Sequence, residues 1–173
     1  DAGAIPGIKV DKGITPLAGR PGETITQGLD GLRERLAEYY ELGARFAKWR
    51  AVIEISHPDI SVGRTPTDGG IKANNHALGR YAALCQEAGI VPIVEPEILM
   101  GGHHSIERCH EVTERVLNSL FTELYEQGVA LEGIVLKPNM VVAGQQCAAQ
   151  PSREEIAERT IKVLKDTVPS SVP

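Results

Sequence analysis

The stretch Gly133-Ile134-Val135-Leu136-Lys137-Pro138-Asn139-Met140 decides the fold class of this chain, because it joins an apolar run typical of a buried strand to a single lysine near its end. Two interpretations of Lys137 are open. The lysine is either a strand-end charge whose long stem reaches solvent, or an amine held in a pocket for chemistry. Residue type alone favours the first interpretation, since lysine is common at protein surfaces.

Composition indicates one soluble domain. The chain has 173 residues, of which 42% are hydrophobic and 24% charged, enough for one core of moderate size. No apolar run approaches the roughly 18 residues of a membrane span, and the N-terminus carries no signal-like segment. We therefore expect a cytoplasmic protein without a membrane association. Both ends look truncated, since the chain starts almost directly in a strand and stops in a loop.

Charge and cysteine content exclude further classes. The net charge of -5 argues against nucleic acid as the main partner, because binding to a phosphate backbone needs a basic face. Cys85, Cys109 and Cys147 are widely spaced and form no Cys-x-x-Cys motif. Neither a disulfide framework nor a structural zinc site is expected.

A repeat of about 40 residues organises the chain. Four apolar segments alternate with four segments of helical periodicity, as expected for βα units around a parallel sheet. Gly-x-Gly-x-x-Gly and Walker motifs are absent. A (β/α)8 TIM barrel needs about 250 residues, so the chain is expected to supply four consecutive units of one barrel domain over residues 1–173. The predicted strands are 5–11, 46–55, 90–97 and 133–140, and the predicted helices are about 29–39, 77–88, 105–127 and 152–166.

Polar residues recur at the C-terminal ends of all four predicted strands. Residues two apart in a strand point to the same face, so each strand end carries a same-face pair. The pairs are Lys9 with Asp11, Lys48 with Arg50, Glu95 with Glu97, and Lys137 with Asn139. Parallel strands are normally apolar on both faces. Charged ends on four strands in succession indicate an active site at one rim of a barrel.

The charges of this rim predict a pocket for a phosphorylated substrate. Four positive and three negative side chains meet there, a local positive excess in a chain of net charge -5. The alternative is that they form strand-end ion pairs that serve solubility and register. Isolated surface pairs stabilise a protein little, so chemistry explains four charged strand ends better.

A lysine among these groups favours Schiff-base chemistry. Burial and neighbouring cations lower the pKa of a lysine and leave free amine that attacks a carbonyl. Lys137 would form the Schiff base, and Glu95 on the adjacent strand would move protons. Glu97 is a candidate for keeping one of the two carboxyl groups protonated by like-charge repulsion. Lys48 would stabilise developing oxyanions, and Arg50 offers a fork for phosphate.

Five motifs follow one another along the chain. They are Gly7-Ile8-Lys9-Val10-Asp11-Lys12-Gly13, Gln27-Gly28-Leu29-Asp30-Gly31-Leu32, Phe46-Ala47-Lys48-Trp49-Arg50, Ile90-Val91-Pro92-Ile93-Val94-Glu95-Pro96-Glu97 and Leu136-Lys137-Pro138-Asn139-Met140. In this order they resemble class I fructose-1,6-bisphosphate aldolase, the metal-independent Schiff-base enzyme, and the loop from His57 to Ala73 resembles the bacterial members. The resemblance implies a (β/α)8 barrel, a phosphorylated sugar substrate, no cofactor or metal, and a homotetramer.

By motif, the resemblance also implies individual roles. Lys137 matches the Schiff-base lysine, Glu95 the main acid/base and Lys48 a ligand of the transition state. Glu97 matches a carboxylate that tunes the cluster.

The remaining matches concern the phosphate distal to the reacting ketone. Lys9 and Arg50 match its ligands, and Asp11 matches the motif in a supporting role. The chain matches barrel strands 3 to 6, so strands 1, 2, 7 and 8, with their phosphate-binding groups, are missing. We expect the 173 residues alone to be inactive.

Three other functions remain as alternatives. The chain could serve as an aldolase-like scaffold without turnover, or belong to a different Schiff-base lyase on the same barrel. A metal site would use His103, His104 and His110, but no carboxylate cluster or spaced ligand triad accompanies them.

Overall fold

The computed structural model describes residues 3–55 and 64–173. Six strands and four α-helices follow one another along these residues. The strands are β1 (Gly7–Lys9), β2 (Ile14–Pro16), β3 (Thr24–Thr26), β4 (Phe46–Ile53), β5 (Val91–Ile98) and β6 (Val135–Leu136). The helices are α1 (Leu32–Glu41), α2 (Asp68–Glu87), α3 (Ile106–Glu126) and α4 (Arg153–Thr167).

Four of the strands form one parallel sheet in the order β1-β4-β5-β6. Lys9 lies opposite Lys48, and Arg50 lies opposite Glu95. Neighbours in this sheet are successive along the chain apart from the β2–β3 hairpin, and helices fill the connections. The predicted series of four βα units is therefore confirmed.

Strand alternation divides the sheet into a covered face and an open face. Ala47, Trp49 and Ala51 of β4 are fully buried on the covered face, on which α2 and α3 pack. The Tyr81 hydroxyl of α2 donates to the Ala47 carbonyl at 2.8 Å. On the open face, Lys48 alternates with these residues and remains partly exposed. The hydrophobic core thus lies between the sheet and the helices.

A short antiparallel hairpin, β2–β3, occupies the stretch between the predicted strand 5–11 and the predicted helix 29–39, where no strand was predicted. The hairpin lies beside the part of β4 that extends past the shorter neighbouring strand β1. The Thr26 hydroxyl donates to the Arg50 carbonyl at 2.8 Å, and the Thr24 hydroxyl donates to the Val52 carbonyl at 3.3 Å. Side chains of the hairpin therefore satisfy carbonyls that β1 does not reach.

Several boundaries differ from the sequence prediction. Helix α2 begins at Asp68, well before the predicted start at about 77, because the Thr67 hydroxyl accepts from the Gly70 amide at 3.0 Å and caps the helix. The first part of the loop from His57 to Ala73, residues 57–63, lies outside the described residues. Strand β6 spans two residues of the predicted strand 133–140, and a 3₁₀ turn over Leu131–Gly133 precedes it.

Other predictions of local structure are confirmed. Ser152 caps α4 by accepting from the Glu155 amide at 3.1 Å, and the helix begins at Arg153, next to the predicted start at 152. Helix α3 begins after Ser105 and ends at Glu126, one residue inside each predicted limit. Within the described residues, none of the helices has the length and apolar character that crossing a membrane requires.

Candidate active site on the open face of the sheet

Buried Glu95 is the centre of a charged cluster on the open face. Strand β5 places this glutamate between β4 and β6, and the residue is 2% exposed. One carboxylate oxygen contacts Lys48 Nζ at 2.9 Å, and the other accepts a hydrogen bond from Lys137 Nζ. The structure thus brings together the three residues to which the sequence assigned Schiff base, proton transfer and electrostatic support.

The two lysines determine the charge state of Glu95. Burial by itself raises the pKa of this carboxyl group, since a charged group loses hydration. Hydrogen bonds and charge attraction from Lys137 and Lys48 outweigh burial, so the pKa of Glu95 is below its usual range. At neutral pH the carboxylate is ionised and can accept a proton.

Glu97, the second carboxylate of the strand, takes a separate partner. Its oxygen Oε2 contacts Arg50 Nε of β4. The sequence suggested that repulsion between Glu95 and Glu97 keeps one of them protonated. In the structure each carboxylate contacts cations of its own, Glu95 the two lysines and Glu97 the guanidinium of Arg50, and the suggested protonation stays a prediction.

Asp11 joins β1 to β4 at the other end of the cluster. Its carboxylate contacts Lys9 Nζ at 2.5 Å and accepts from the backbone amides of Gly13 at 3.2 Å and Arg50 at 3.4 Å. The Asp11 side chain is 3% exposed. The aspartate therefore contacts both candidate phosphate ligands, Lys9 through its side chain and Arg50 through its backbone.

Lys137 and Lys9 are much more exposed than the carboxylates that they contact. The side chains of Lys137 and Lys9 are 57% and 54% exposed, and those of Glu95 and Asp11 are 3% exposed. The expectation of a buried lysine is therefore not met within these residues, since the part of the chain that the structure describes leaves the face around Lys137 uncovered. An incoming anion would meet the ammonium groups first.

The predicted same-face pair of Lys137 and Asn139 is wrong. Strand pairing ends at Leu136, so the two-residue alternation does not continue to Asn139. Lys137 contacts Glu95 on the open face, whereas the Asn139 side-chain amide donates to Thr113 Oγ1 of α3 at 3.2 Å. Thr113 was missed because nothing in its helical context distinguishes it from other threonines.

The histidines of the alternative metal site do not form a cluster with other ligands. His104 is buried, and burial together with the nearby Arg108 charge lowers the pKa of its imidazole. Among residues 3–55 and 64–173, no group of three or more histidine, cysteine, aspartate or glutamate side chains could hold a metal ion.

Comparison with known proteins shows the family to which the chain belongs. The family model described as fructose-bisphosphate aldolase class-I matches residues 1–173. The chain is 63% identical over 171 residues to a probable fructose-bisphosphate aldolase class 1 of Xanthomonas axonopodis pv. citri, covering 99% of this chain and 49% of the relative. It is 54% identical over 172 residues to fructose-bisphosphate aldolase C-B of Danio rerio, covering 99% and 46%. The chain spans about half the length of these relatives.

A solved structure shows the same fold. Fructose-bisphosphate aldolase of Plasmodium falciparum, crystallised with TRAP and a small-molecule inhibitor, superposes with a TM-score of 0.92 at 51% identity. The match covers 98% of this chain and 48% of that one. The parallel sheet with its helices is therefore part of an α/β barrel, as the sequence predicted.

Proposed function

The chain belongs to the class I fructose-bisphosphate aldolase family, and from this premise we propose that the complete protein cleaves fructose 1,6-bisphosphate reversibly into dihydroxyacetone phosphate and glyceraldehyde 3-phosphate. The observation that carries the proposal is the contact of buried Glu95 with both Lys137 and Lys48. In this arrangement the amine of Lys137 is the nucleophile, and the carboxylate of Glu95 is a proton acceptor in contact with it.

In the proposed reaction, Lys137 is the nucleophile. Glu95 accepts a proton from the Lys137 ammonium, with which it is already hydrogen bonded. The free amine adds to the ketone carbonyl of the substrate, and the resulting carbinolamine loses water to give an iminium ion. Protonated Glu95 supplies the proton that leaves with this water. The lowered pKa of Glu95 keeps this carboxylate ionised at neutral pH, so it is free to take up a proton, although as a weak base.

The iminium ion then allows a carbon–carbon bond to break. The bond between the carbon next to the iminium and the hydroxyl-bearing carbon beyond it breaks, and its electron pair moves toward the iminium nitrogen to give an enamine. The hydroxyl group passes its proton to Glu95, which is ionised again after the dehydration, and the carbon that carried the hydroxyl leaves as the aldehyde. Lys48, on the other oxygen of Glu95, is placed to stabilise negative charge that develops on substrate oxygens. Glu97 holds the Arg50 side chain and so tunes the cationic side of the cluster.

The distal phosphate is proposed to bind Lys9 and Arg50. Both side chains reach the open face from neighbouring strands, and both are paired with carboxylates. A phosphate dianion would compete with Asp11 and Glu97 for these cations. Arg50 presents a planar fork that suits two phosphate oxygens, whereas Lys9 contributes a point charge.

The remaining proposals concern the complete protein. We propose that residues 1–173 form part of a single barrel domain in a cytoplasmic homotetramer. The site lies on a sheet face that is uncovered in the part of the chain that the structure describes, so the 173 residues alone are expected to be inactive. Phosphorylated sugar is the proposed substrate, without a metal or other cofactor.

One experiment tests the mechanism. The complete protein is incubated with dihydroxyacetone phosphate, reduced with borohydride and analysed by peptide mass. The expected result is a stable adduct at Lys137, together with cleavage of fructose 1,6-bisphosphate that persists in EDTA. An adduct elsewhere, or none, would contradict the assigned nucleophile. Binding without cleavage would indicate a scaffold, and loss of activity in EDTA would indicate a metal enzyme.

A further inference from the structure

The chain around Lys137 leaves the sheet almost as soon as it enters it. Strand β6 has two residues, and the Lys137 amide makes the last bond to the sheet, to the Val94 carbonyl at 2.9 Å. Pro138 follows and has no amide hydrogen to donate. A lysine that must attack a carbonyl needs its backbone held to well within an ångström. Contacts outside the sheet have to supply this constraint.

The first such contact comes from α3. The Asn139 side-chain amide donates to Thr113 Oγ1 at 3.2 Å and also to the Met140 carbonyl at 3.0 Å. The Thr113 hydroxyl donates its own proton to the Cys109 carbonyl at 2.7 Å, one turn earlier in the helix. Its oxygen is therefore left to accept. Thr113 is 1% exposed, so water does not compete for it.

The second contact is also a hydrogen bond to a threonine hydroxyl, in this case from α4. The Val141 amide donates to Thr160 Oγ1 at 3.0 Å, and the Thr160 hydroxyl donates to the Ile156 carbonyl at 2.7 Å. Val141 is fully buried, so its amide has no access to water. Two threonines on adjacent helices thus accept hydrogen bonds from positions two and four residues after Lys137.

We propose that Thr113 and Thr160, named here the threonine clasp, are positioning residues that hold the backbone after Lys137 so that its amine meets the substrate carbonyl. Neither threonine touches the reacting atoms. The inference rests on the proposed function, since it needs Lys137 as nucleophile. The clasp replaces the strand hydrogen bonds that a two-residue β6 cannot provide, with acceptors whose orientation is set by their own helices.

The test uses Thr113→Val and Thr160→Val in the complete protein. Valine keeps the branched shape and removes the acceptor oxygen. Matched controls are Thr122→Val on α3 and Thr167→Val on α4, because these hydroxyls make the same bond to the carbonyl one turn earlier, at 2.9 Å to Asn118 and 2.7 Å to Val163. The readouts are the single-turnover rate of iminium formation at Lys137, trapped by borohydride, and the separate values of kcat and KM.

Each clasp variant is expected to slow iminium formation and kcat about tenfold or more, with KM within about twofold, because the amine is misplaced while the phosphate ligands are intact. Thr113→Ser and Thr160→Ser keep the hydroxyl and should restore the rate. The control variants should react at the wild-type rate. Amide exchange at Val141 should accelerate in Thr160→Val, which locates the lost constraint in the segment after Lys137.

The outcomes separate the two claims. If wild type forms the adduct and the clasp variants trap it as fast as Thr122→Val and Thr167→Val do, the clasp is overturned and the proposed function stands. If the serine variants are as slow as the valine variants, the hydroxyl is not the cause and the clasp is overturned as well. If wild type forms no adduct at Lys137, both claims fail.

Discussion

On the covered face of the four-stranded sheet, Trp49 and Val94 are fully buried among helix side chains, whereas on the open face Lys48 and Glu95, each one residue away, form an ion pair. The same two strands therefore carry a hydrophobic core on one side and a charged cluster on the other. Parallel strands between two layers of helices are normally apolar on both faces. The contrast fits the proposal that the covered face supplies stability and the open face supplies chemistry.

The two faces also differ in how their side chains pair. Contacts on the covered face are mainly between apolar side chains, which pack against α2 and α3. On the open face the ion pairs are diagonal: Arg50 lies opposite Glu95 in the register but contacts Glu97, and Lys48 lies opposite Ile93 but contacts Glu95. Long cationic side chains reach such diagonal partners.

The largest expected effect is a loss of activity when a residue of the open face is changed. Lys137→Arg keeps the positive charge but removes the nucleophilic amine, so kcat should fall on the order of 10⁴-fold or more. The free energy of unfolding should change by less than about 0.5 kcal/mol, because the side chain is more than half exposed. Steady-state cleavage of fructose 1,6-bisphosphate and urea unfolding measure the two quantities. Retained turnover would remove Lys137 from the mechanism.

The next effect concerns the covered face. Leu120→Ala in α3 removes a fully buried side chain and should lower the free energy of unfolding by about 2–5 kcal/mol. The same substitution at Leu42, which is 77% exposed, is the matched control and should cost less than about 0.5 kcal/mol. Folded Leu120→Ala protein should keep its KM. Equal losses of stability at the two positions would contradict the assignment of the core to the covered face.

The smallest effect is a pH dependence of the open face. Because the folded-state pKa of Glu95 is lowered, its ion pairs contribute stability above the unfolded-state pKa of about 4.3, and this contribution disappears as the pH falls through the folded value. Glu95→Gln should cost about 2 kcal/mol at neutral pH, and the difference from wild type should shrink below about pH 4. Urea unfolding at several pH values measures it.

Exposed Glu126, at the end of α3, provides the comparison for that experiment. Glu126→Gln changes the same functional group away from the cluster. A constant difference between wild type and Glu95→Gln across the acidic range would show that charge pairing with Lys48 and Lys137 does not stabilise the fold.

Much of the sheet was predictable because its signals are local. Alternation in Phe46-Ala47-Lys48-Trp49-Arg50 assigned each residue to a face correctly, and helical spacing located α3 within one residue at each end. The β2–β3 hairpin was missed, because strands of three residues separated by glycines give no periodic pattern. Asn139 was misplaced for a related reason: alternation holds only while strand pairing continues, and β6 ends at Leu136.

The sequence by itself determined the βα rhythm, the face of each residue on the long strands and the chemical character of the cluster, since these depend on spacing and residue type along one segment. The tertiary structure decided that Glu95 contacts both lysines and that Glu97 contacts Arg50. It also decided that Thr113 and Thr160 accept hydrogen bonds from the segment after Lys137. Such contacts depend on strand register, side-chain reach and helix placement. These quantities arise only when segments far apart in the chain pack together.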